Sequence, residues 1–405
     1  MKLLILTQYF PPEVGAPQNR LYELAIRLKQ KGVDVTVLTA MPNYPQMKIY
    51  AGYEGKENCE EEMNGLKIFR TSIYIPKSKS ITERLKNYFS FTYSSWKFGR
   101  KLKTEFDFLL VESPPLFLGI SAYLLSKKLK AKMIFNVSDL WPESAEKLGL
   151  VTNKFFLRMA TWLEEWLYRK SFLITGQTQG IVKNIQSRFP NKKVYWLPNG
   201  VDIKLFDSST SRNKSWRIEN GFSENDKLFI YAGIIGHAQG LEIILKAAEK
   251  CKDRTEIKFL LVGSGPEKEK LQKMKSELKL ENVFFFDVQS KENMPSIIDS
   301  MDATIIPLKK LDLFLGAIPS KVFENLAMKK PILLGVDGEA RELFIEHAQA
   351  GIFFEPENEN QLANAVLKIS ADEKLKLQLG ENGFNYVKQK FNRDIIAEDF
   401  FKQFI

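Results

Sequence analysis

Several stretches of the sequence put residues able to do chemistry at strand-to-helix junctions. Tyr231-Ala232-Gly233-Ile234-Ile235-Gly236-His237-Ala238-Gln239-Gly240-Leu241 runs from an apolar strand pattern through a glycine-rich loop into a helix that starts near Leu241. Such a loop lets backbone N–H groups and a helix N-terminus converge on a phosphate, with Gly236 allowing close approach and His237 able to donate to an anion. A tight turn without a ligand would use the same residue types. The pattern recurs as Val262-Gly263-Ser264-Gly265-Pro266-Glu267 after the next strand. Two such loops on one sheet favour a phosphate-bearing ligand.

Pro319-Ser320-Lys321-Val322-Phe323-Glu324-Asn325-Leu326-Ala327-Met328 reads as the start of a helix. Ser320 is placed to cap it, and Lys321 brings a cation to a helix end that already attracts anions. Glu324, one turn inward, can accept from two vicinal hydroxyls, as on a ribose. A simple capping arrangement between Ser320 and Glu324 stands beside that reading. In the first half, Gly15 follows Gln8-Tyr9-Phe10-Pro11-Pro12-Glu13-Val14, which joins the first strand to the first helix. Glu112 and Asp139 each end a strand, where parallel sheets face their ligands. There they would bind hydroxyls or steady positive charge, or, in the case of Asp139 ahead of Pro142, cap a helix. Asp202, behind Asn199-Gly200, is equally a turn residue. Of the two histidines, His347 reads as a surface residue, which leaves His237 as the only candidate for catalytic use.

These residues need a scaffold of alternating strands and helices. Apolar runs at Leu3 to Thr7, Asp34 to Thr39, Phe108 to Val111, Met133 to Val137, Leu228 to Ala232, Lys258 to Val262, Val283 to Phe286, Ala303 to Ile306 and Ile332 to Gly335 alternate with helical patterns, predicting parallel α/β sheets. Leu21, Leu24, Ala25 and Leu28 mark the first crossover helix, which Gly32 ends. The strand series restarts at Lys227, after the polar stretch from Asp207 to Lys214. A chain of 405 residues also exceeds the roughly 250 to 300 at which a single core stops growing. The reading is therefore a domain over 1–205, a second over 206–385, and a C-terminal helical segment over 386–405 that packs back toward the first.

Composition excludes several classes. With 44% hydrophobic and 27% charged residues the chain is globular. The longest apolar stretch, Leu116 to Leu125, is too short to span a bilayer, and the N-terminus reads as a strand without a signal-cleavage pattern. Cys59 and Cys251 are too far apart in the chain to suggest a disulfide framework or a zinc cluster, which points to a reducing compartment. Of the net charge of +10, residues 1–205 carry +13, from 31 Lys+Arg against 18 Asp+Glu. Part of that excess lies in residues 77–103, where Lys77, Lys79, Arg84, Lys86, Lys97, Arg100, Lys101 and Lys103 surround Tyr88, Phe89, Phe91, Tyr93, Trp96 and Phe98. Such a segment suits an anionic membrane surface; a helix packed by its aromatics ranks second and nucleic acid a distant third.

In their order these motifs resemble the retaining, nucleotide-sugar-dependent glycosyltransferases of family 4. The resemblance rests on Tyr9-Phe10-Pro11-Pro12-Glu13 with Gly15, Pro42-Asn43-Tyr44-Pro45, Asp139-Leu140-Trp141-Pro142-Glu143-Ser144, Leu197-Pro198-Asn199-Gly200-Val201-Asp202, and Pro319-Ser320-Lys321 with Glu324. It is similar to the branch that builds bacterial O-antigen, capsule and colanic-acid polysaccharides and includes N-acetyl-fucosamine transferases. The resemblance implies the GT-B fold: two facing, doubly wound Rossmann-like domains with the active site in the cleft between them. It implies a catalytic set of Glu112, Asp139 and Lys321, and donor contacts from Gly15, Gly236, His237, Gln239, Gly265, Ser320, Lys321 and Glu324. Asn199 and Glu143 fall on the acceptor side. Where the family has an Arg and Lys clamp this chain has Ile234 and Gln239, and Gly316 stands where it has a first glutamate. Weight therefore shifts to Lys321, His237 and backbone N–H groups for binding the diphosphate.

The resemblance further implies transfer with retention from a nucleotide-sugar, UDP-linked rather than GDP-linked, to a polyprenyl-diphosphate-linked saccharide at the cytoplasmic face of the cell membrane, with neither metal nor cofactor. No Asp-x-Asp and no His/Cys cluster with ligand spacing occurs in the sequence, in keeping with that. Two other readings stay open: a sugar-nucleotide epimerase or oxidoreductase on a dinucleotide fold, and an inactive binding protein of the same architecture. The first βα turn, which lacks Gly-x-Gly-x-x-Gly, argues against the former.

Overall fold

The computed structural model of the protein describes residues 1–404 apart from Val14, Lys79, Leu148, Leu150 and 208–215. Most of the polar stretch ahead of the second strand series, Ser208 to Lys214, and the cation Lys79 thus lie outside the described residues. The chain divides into two compact units. Unit 1 comprises Met1–Asn199 with Ile396–Ile405, and unit 2 comprises Gly200–Ile395.

Unit 1 is built on β1 (Lys2–Leu6), β2 (Asp34–Ala40), β3 (Asn58–Met63), β4 (Leu66–Thr71), β5 (Phe108–Ser113), β6 (Lys132–Val137), β7 (Leu173–Gly176) and β8 (Val194–Trp196). They lie in the order β3-β4-β2-β1-β5-β6-β7-β8, parallel throughout except where β3 pairs antiparallel with β4. Leu3, Leu4, Ile5 and Leu6 are all fully buried, because helices cover both faces of the sheet. Leu3 and Ile5 pack with Leu21, Ala25 and Leu28 of α1 (Ala16–Gln30). Leu4 and Leu6 belong to the opposite core, under α2 (Ile81–Gly99), α3 (Leu118–Lys128) and α5 (Lys154–Lys170). The short α4 (Glu143–Lys147) precedes α5, and α6 (Gln179–Arg188) joins β7 to β8. Asn153 caps α5 by accepting the Phe156 N–H at 3.0 Å.

Unit 2 holds a second sheet, all parallel, of β9 (Lys227–Ala232), β10 (Ile257–Val262), β11 (Val283–Phe286), β12 (Ala303–Pro307), β13 (Ile332–Gly335) and β14 (Gly351–Phe353) in the order β11-β10-β9-β12-β13-β14. Its helices are α7 (Trp216–Glu219), α8 (Glu242–Lys250), α9 (Lys268–Glu277), α10 (Met294–Asp299), α11 (Lys321–Ala327), α12 (Glu339–Arg341), α13 (Glu359–Ala371) and α14 (Glu373–Lys390). The chain then returns through α15 (Arg393–Phe401), whose Ile396, Ala397 and Phe400 join Leu3, Ile5 and Leu21 in the core of unit 1.

Both sheets reverse direction once. In unit 1 the reversal lies between β1 and β5, and in unit 2 between β9 and β12. Loops that leave the carboxyl ends of such a strand pair diverge and open a crevice, where ligands of this architecture bind. Every candidate loop named above leaves one of these strands or its neighbours, except the Leu197–Asp202 loop, which follows the edge strand β8.

Candidate functional site

In unit 2 the crevice is bounded by the loop after β9 and by α11, which follows β12. The glycines of the two loops do different jobs. Gly233, Gly263 and Gly265 have φ of 145°, 142° and 157°, where side chains are strained. A Cβ on Gly263 would stand 2.0 Å from the Gly233 carbonyl oxygen, and one on Gly265 would stand 2.2 Å from that of Ile235. Gly265 is thus required by loop-on-loop packing, sealed by the Ile235 N–H donating to the Ser264 carbonyl at 2.9 Å. This corrects the reading of Gly265 as a ligand cradle.

Gly233 faces Lys321 instead. A Cβ there would lie 2.9 Å from Lys321 Nζ, so the loop keeps room for that amine. Lys321 Nζ stands 3.8 Å from the centroid of the Tyr231 ring, and the Tyr231 hydroxyl donates to the Ile234 carbonyl at 2.6 Å, holding ring and loop together. Among the described residues no carboxylate pairs with Lys321. Burial therefore lowers its pKa to about 7, against a smaller opposing pull from Glu324. Glu324, half-buried like Lys321, has no direct partner among the described residues, and protein packed about its carboxyl raises its pKa by desolvation, moderated by Arg393, Lys291 and Lys321. A cation against the glycine loop and an acceptor one turn along α11 are thus both desolvated, and neither is in a direct pair among the described residues. Diphosphate and vicinal hydroxyls are the chemistry that would satisfy them.

Ser320 makes no side-chain cap to α11, so the capping alternative fails and Ser320 is free for another use. His237 is 74% exposed, with Nδ1 2.8 Å from Glu267 Oε1, which ties it to the second glycine loop. Gln239 lies in the 3-10 turn His237–Gln239, with its amide against Gly236. Lys309, which the sequence did not single out, donates its backbone N–H to the Ala238 carbonyl at 3.0 Å and brings its side chain over Gly240.

Residues 18–205 match the family model "Glycosyltransferase Family 4", and residues 212–386 match "Glycosyl transferases group 1". The chain belongs to the family 4 type of glycosyltransferases. The transferase is 27% identical over 334 residues, 81% of each chain, to WcaI of Escherichia coli K12, a glycosyl transferase named for colanic acid biosynthesis. It is 20% identical over 394 residues to the O-antigen chain mannosyltransferase C of Escherichia coli, covering 97% of this chain and 94% of that one. Among solved structures it is similar to sucrose-phosphate synthase from Thermosynechococcus elongatus, with a TM-score of 0.77 at 16% identity over 100% and 98% of the two chains. Anabaena HepE, solved with UDP and glucose, gives a TM-score of 0.72 at 17% identity over 100% and 99%. Two parallel α/β domains of the GT-B kind follow from these likenesses.

In unit 1 the crevice of the transferase is filled by an ion pair. Arg20 Nη2 donates to Glu112 Oε1 at 2.6 Å and to the Ser138 hydroxyl at 2.7 Å. Asn136 Nδ2 donates to Glu112 Oε2 at 2.5 Å, and the Thr175 hydroxyl donates to Asn136 Oδ1 at 2.6 Å. Both Glu112 oxygens are engaged and the residue is 3% exposed, so this carboxylate anchors Arg20 instead of moving a proton. That replaces its expected catalytic part. Arg20 keeps Nη1 buried without a protein partner.

Asp139 is exposed as a residue, but protein packed about its carboxyl raises the pKa by desolvation, against hydrogen bonds from Ser144 and Leu140. They come from the next residue's backbone and from a side chain of α4, so they hold the loop after β6 without capping the α4 backbone. Glu143, on α4, pairs with Lys147 at 2.7 Å. Gly15 has φ 174°, extended backbone open to any residue, and the Gln18 amide lies over it, so its close approach to a ligand is not built in. Asn199 is buried, and Asp202 caps its own turn by accepting the Lys204 N–H at 2.9 Å. Glu13 does the positioning here. Its carboxylate accepts from the N–H groups of Asn43 and Tyr44, both at 2.8 Å, and of Phe10 at 3.2 Å, which pins the Pro42-Asn43-Tyr44-Pro45 loop to the first one.

Proposed function

We propose that the protein transfers a sugar, with retention, from a UDP-linked donor to a lipid-linked saccharide during assembly of a bacterial surface polysaccharide at the cytoplasmic face of the membrane. The observation that carries the donor half is the unpaired, desolvated Lys321 over Tyr231, opposite Gly233 and one turn from Glu324. A diphosphate reaching that point would meet Lys321 and the α11 N-terminus, while Glu324 would accept from the ribose hydroxyls. Stabilising charge as it gathers on the leaving diphosphate is the work that preorganised donors do best. The leaving diphosphate would in turn help to deprotonate the incoming hydroxyl on the same face, so no metal is required of the protein. Ser320, His237 and Gln239 complete the donor side in this reading.

Support for the acceptor half is the relation to WcaI and to the O-antigen mannosyltransferase, and support for UDP is the likeness to HepE. An N-acetylated deoxyhexosamine such as N-acetyl-fucosamine is the sugar we assign. Asp139, Glu143 and Asn199 serve the acceptor side.

The test is a thermal-shift panel of UDP, GDP and NAD followed by a turnover assay with UDP-sugars. UDP alone should stabilise the protein, by RT ln(1 + [L]/Kd), and release of UDP should require an acceptor. A shift with NAD would move the assignment to a dinucleotide enzyme, and binding of UDP without product would leave a non-catalytic sugar-nucleotide protein.

A further inference from the structure

α5 buries Leu157, Ala160, Leu163 and Leu167 toward the sheet, as an amphipathic helix should. Its outer side is not polar. Phe155, Met159 and Trp162, spaced i, i+4, i+7, are 73%, 54% and 61% exposed. Large apolar residues scattered singly over a surface need no explanation, but three in one stripe do.

The stripe continues onto neighbouring helices of the same unit. Trp162 stacks on Trp166 with ring centroids 6.4 Å apart, and Trp166 meets Tyr123 of α3 at 4.6 Å. Leu124 of α3 is 44% exposed. On α2, Phe89 and Tyr93 are 45% and 61% exposed, and Phe117 links Phe89, at 4.5 Å, to Phe156 of α5, at 6.2 Å. The remainder of the basic aromatic segment divides between the two roles the sequence allowed. Phe91 is fully buried, and Tyr88, Trp96 and Phe98 pack on the core.

Charge identifies the occupant. α5 opens with Lys154 and Arg158 and has no acidic residue in its first turn, although a helix N-terminus disfavours cations. Lys154, in that first turn, therefore opposes the stability of its own helix. Lys127 and Lys128 end α3, Arg84 lies on α2 and Arg100 follows its last residue, while Lys86 and Lys97 of α2 are paired with Glu83 and Glu57. The acids on these helices are all engaged, Glu83 and Glu165 by cations of their own helices. Glu83 accepts from Lys86, Tyr74 and the Lys77 N–H, Glu164 from Arg188 and Tyr168, and Glu165 from Arg169. A protein partner with an apolar patch would not call for cations around the stripe when every acid on these helices is already engaged. An anionic bilayer does, since headgroups take the cations while the acyl boundary takes the aromatics.

We propose that the outer face of α2, α3 and α5 seats unit 1 on an anionic lipid bilayer, with Phe155, Met159 and Trp162 of α5 entering the headgroup layer. The seat is wider than residues 77–103, and its apolar wedge lies outside them. It depends on unit 1 alone and stands apart from the identity of the donor.

The experiment is sedimentation with vesicles of equimolar phosphatidylcholine and phosphatidylglycerol, beside pure phosphatidylcholine. The full chain is compared with Phe155→Ser/Met159→Ser/Trp162→Ser and with Lys154→Gln/Arg158→Gln, each checked for folding by its circular-dichroism melt. Wild type should bind the anionic vesicles, and the triple variant should lose about 10-fold or more in partitioning at every salt concentration. The double variant should lose binding mainly at low salt. Brominated acyl chains should quench tryptophan emission in wild type and less so in Trp162→Phe. Equal binding by the triple variant, or unquenched tryptophan in vesicle-bound wild type, overturns the proposal. So does a wild-type dimer that ignores vesicles and that the triple variant breaks, because a second copy would then own the face.

Discussion

Lys321 Nζ and the Tyr231 ring centroid, 3.8 Å apart, form a cation–π contact in which no carboxylate among the described residues makes an ion pair with the cation. The ring offsets only part of the cost of desolvating an ammonium. The ligand-free protein therefore carries a penalty that an anion would remove, and the first expectations concern how that penalty shows itself.

Lys321→Met should abolish stabilisation by UDP and lower kcat/KM by about 10²-fold or more, as loss of a preorganised donor does. The same variant should melt higher than wild type without ligand at neutral pH. The sign follows from the depressed pKa: the unfolded chain binds the Lys321 proton up to 10.5 and the folded chain only up to about 7, so wild-type stability rises with pH across that window. Melting curves of both proteins between pH 7 and 10 should thus converge toward the alkaline end. A variant that melts lower at pH 7 would show that Lys321 is a structural cation.

Binding of UDP above pH 7 should take up a proton, because the diphosphate restores the charge on Lys321. Titration calorimetry at pH 8 in two buffers of different ionisation enthalpy should give different apparent heats. Identical heats would place the diphosphate away from this amine.

Glu324→Gln should weaken UDP affinity but leave affinity for inorganic diphosphate unchanged, since the ribose and not the phosphate is its partner. Parallel losses for both ligands would contradict that division.

Glu112→Gln should cost about 3 to 5 kcal/mol in stability, since it strands the buried Arg20 guanidinium. Adding Arg20→Gln should recover part of it, and the double-mutant cycle should report strong coupling. Near-normal stability with a selective loss of turnover would return Glu112 to a catalytic role.

Excess EDTA should leave the turnover rate nearly unchanged. Among the described residues no group of three His, Cys, Asp or Glu side chains is placed to hold a metal ion. A loss of rate restored by Mg²⁺ or Mn²⁺ would show that the ion arrives with the substrate.

The strands legible in the sequence are those whose apolar runs are buried on both faces, such as Leu228 to Ala232. β3, Asn-Cys-Glu-Glu-Glu-Met, was not legible because an exposed acidic edge strand has no apolar face to display. β4 hid behind Arg70, a fully buried guanidinium that spoils its apolar run and is held by Glu61, the Ala40 carbonyl and the Pro11 carbonyl. In the site, the roles of Lys321 and the first glycine loop could be read from residue type and position after a strand. The pairing of Arg20 with Glu112 could not, since 92 residues separate them and only the β1–β5 adjacency brings them together. Nor could the α5 stripe be weighed before burial showed which of its aromatics faces outward.

The return of α15 to the first unit has a consequence for biosynthesis. Domains of a nascent chain commonly fold in the order in which they emerge. Here unit 2, Gly200–Ile395, is one unbroken segment and holds all of its own sheet before residue 396 is made. Unit 1 must wait for Ile396, Ala397 and Phe400 to cover Leu3, Ile5 and Leu21. The half that is synthesised first is therefore completed after the second, because one face of its sheet stays uncovered until residues 396–400 have emerged.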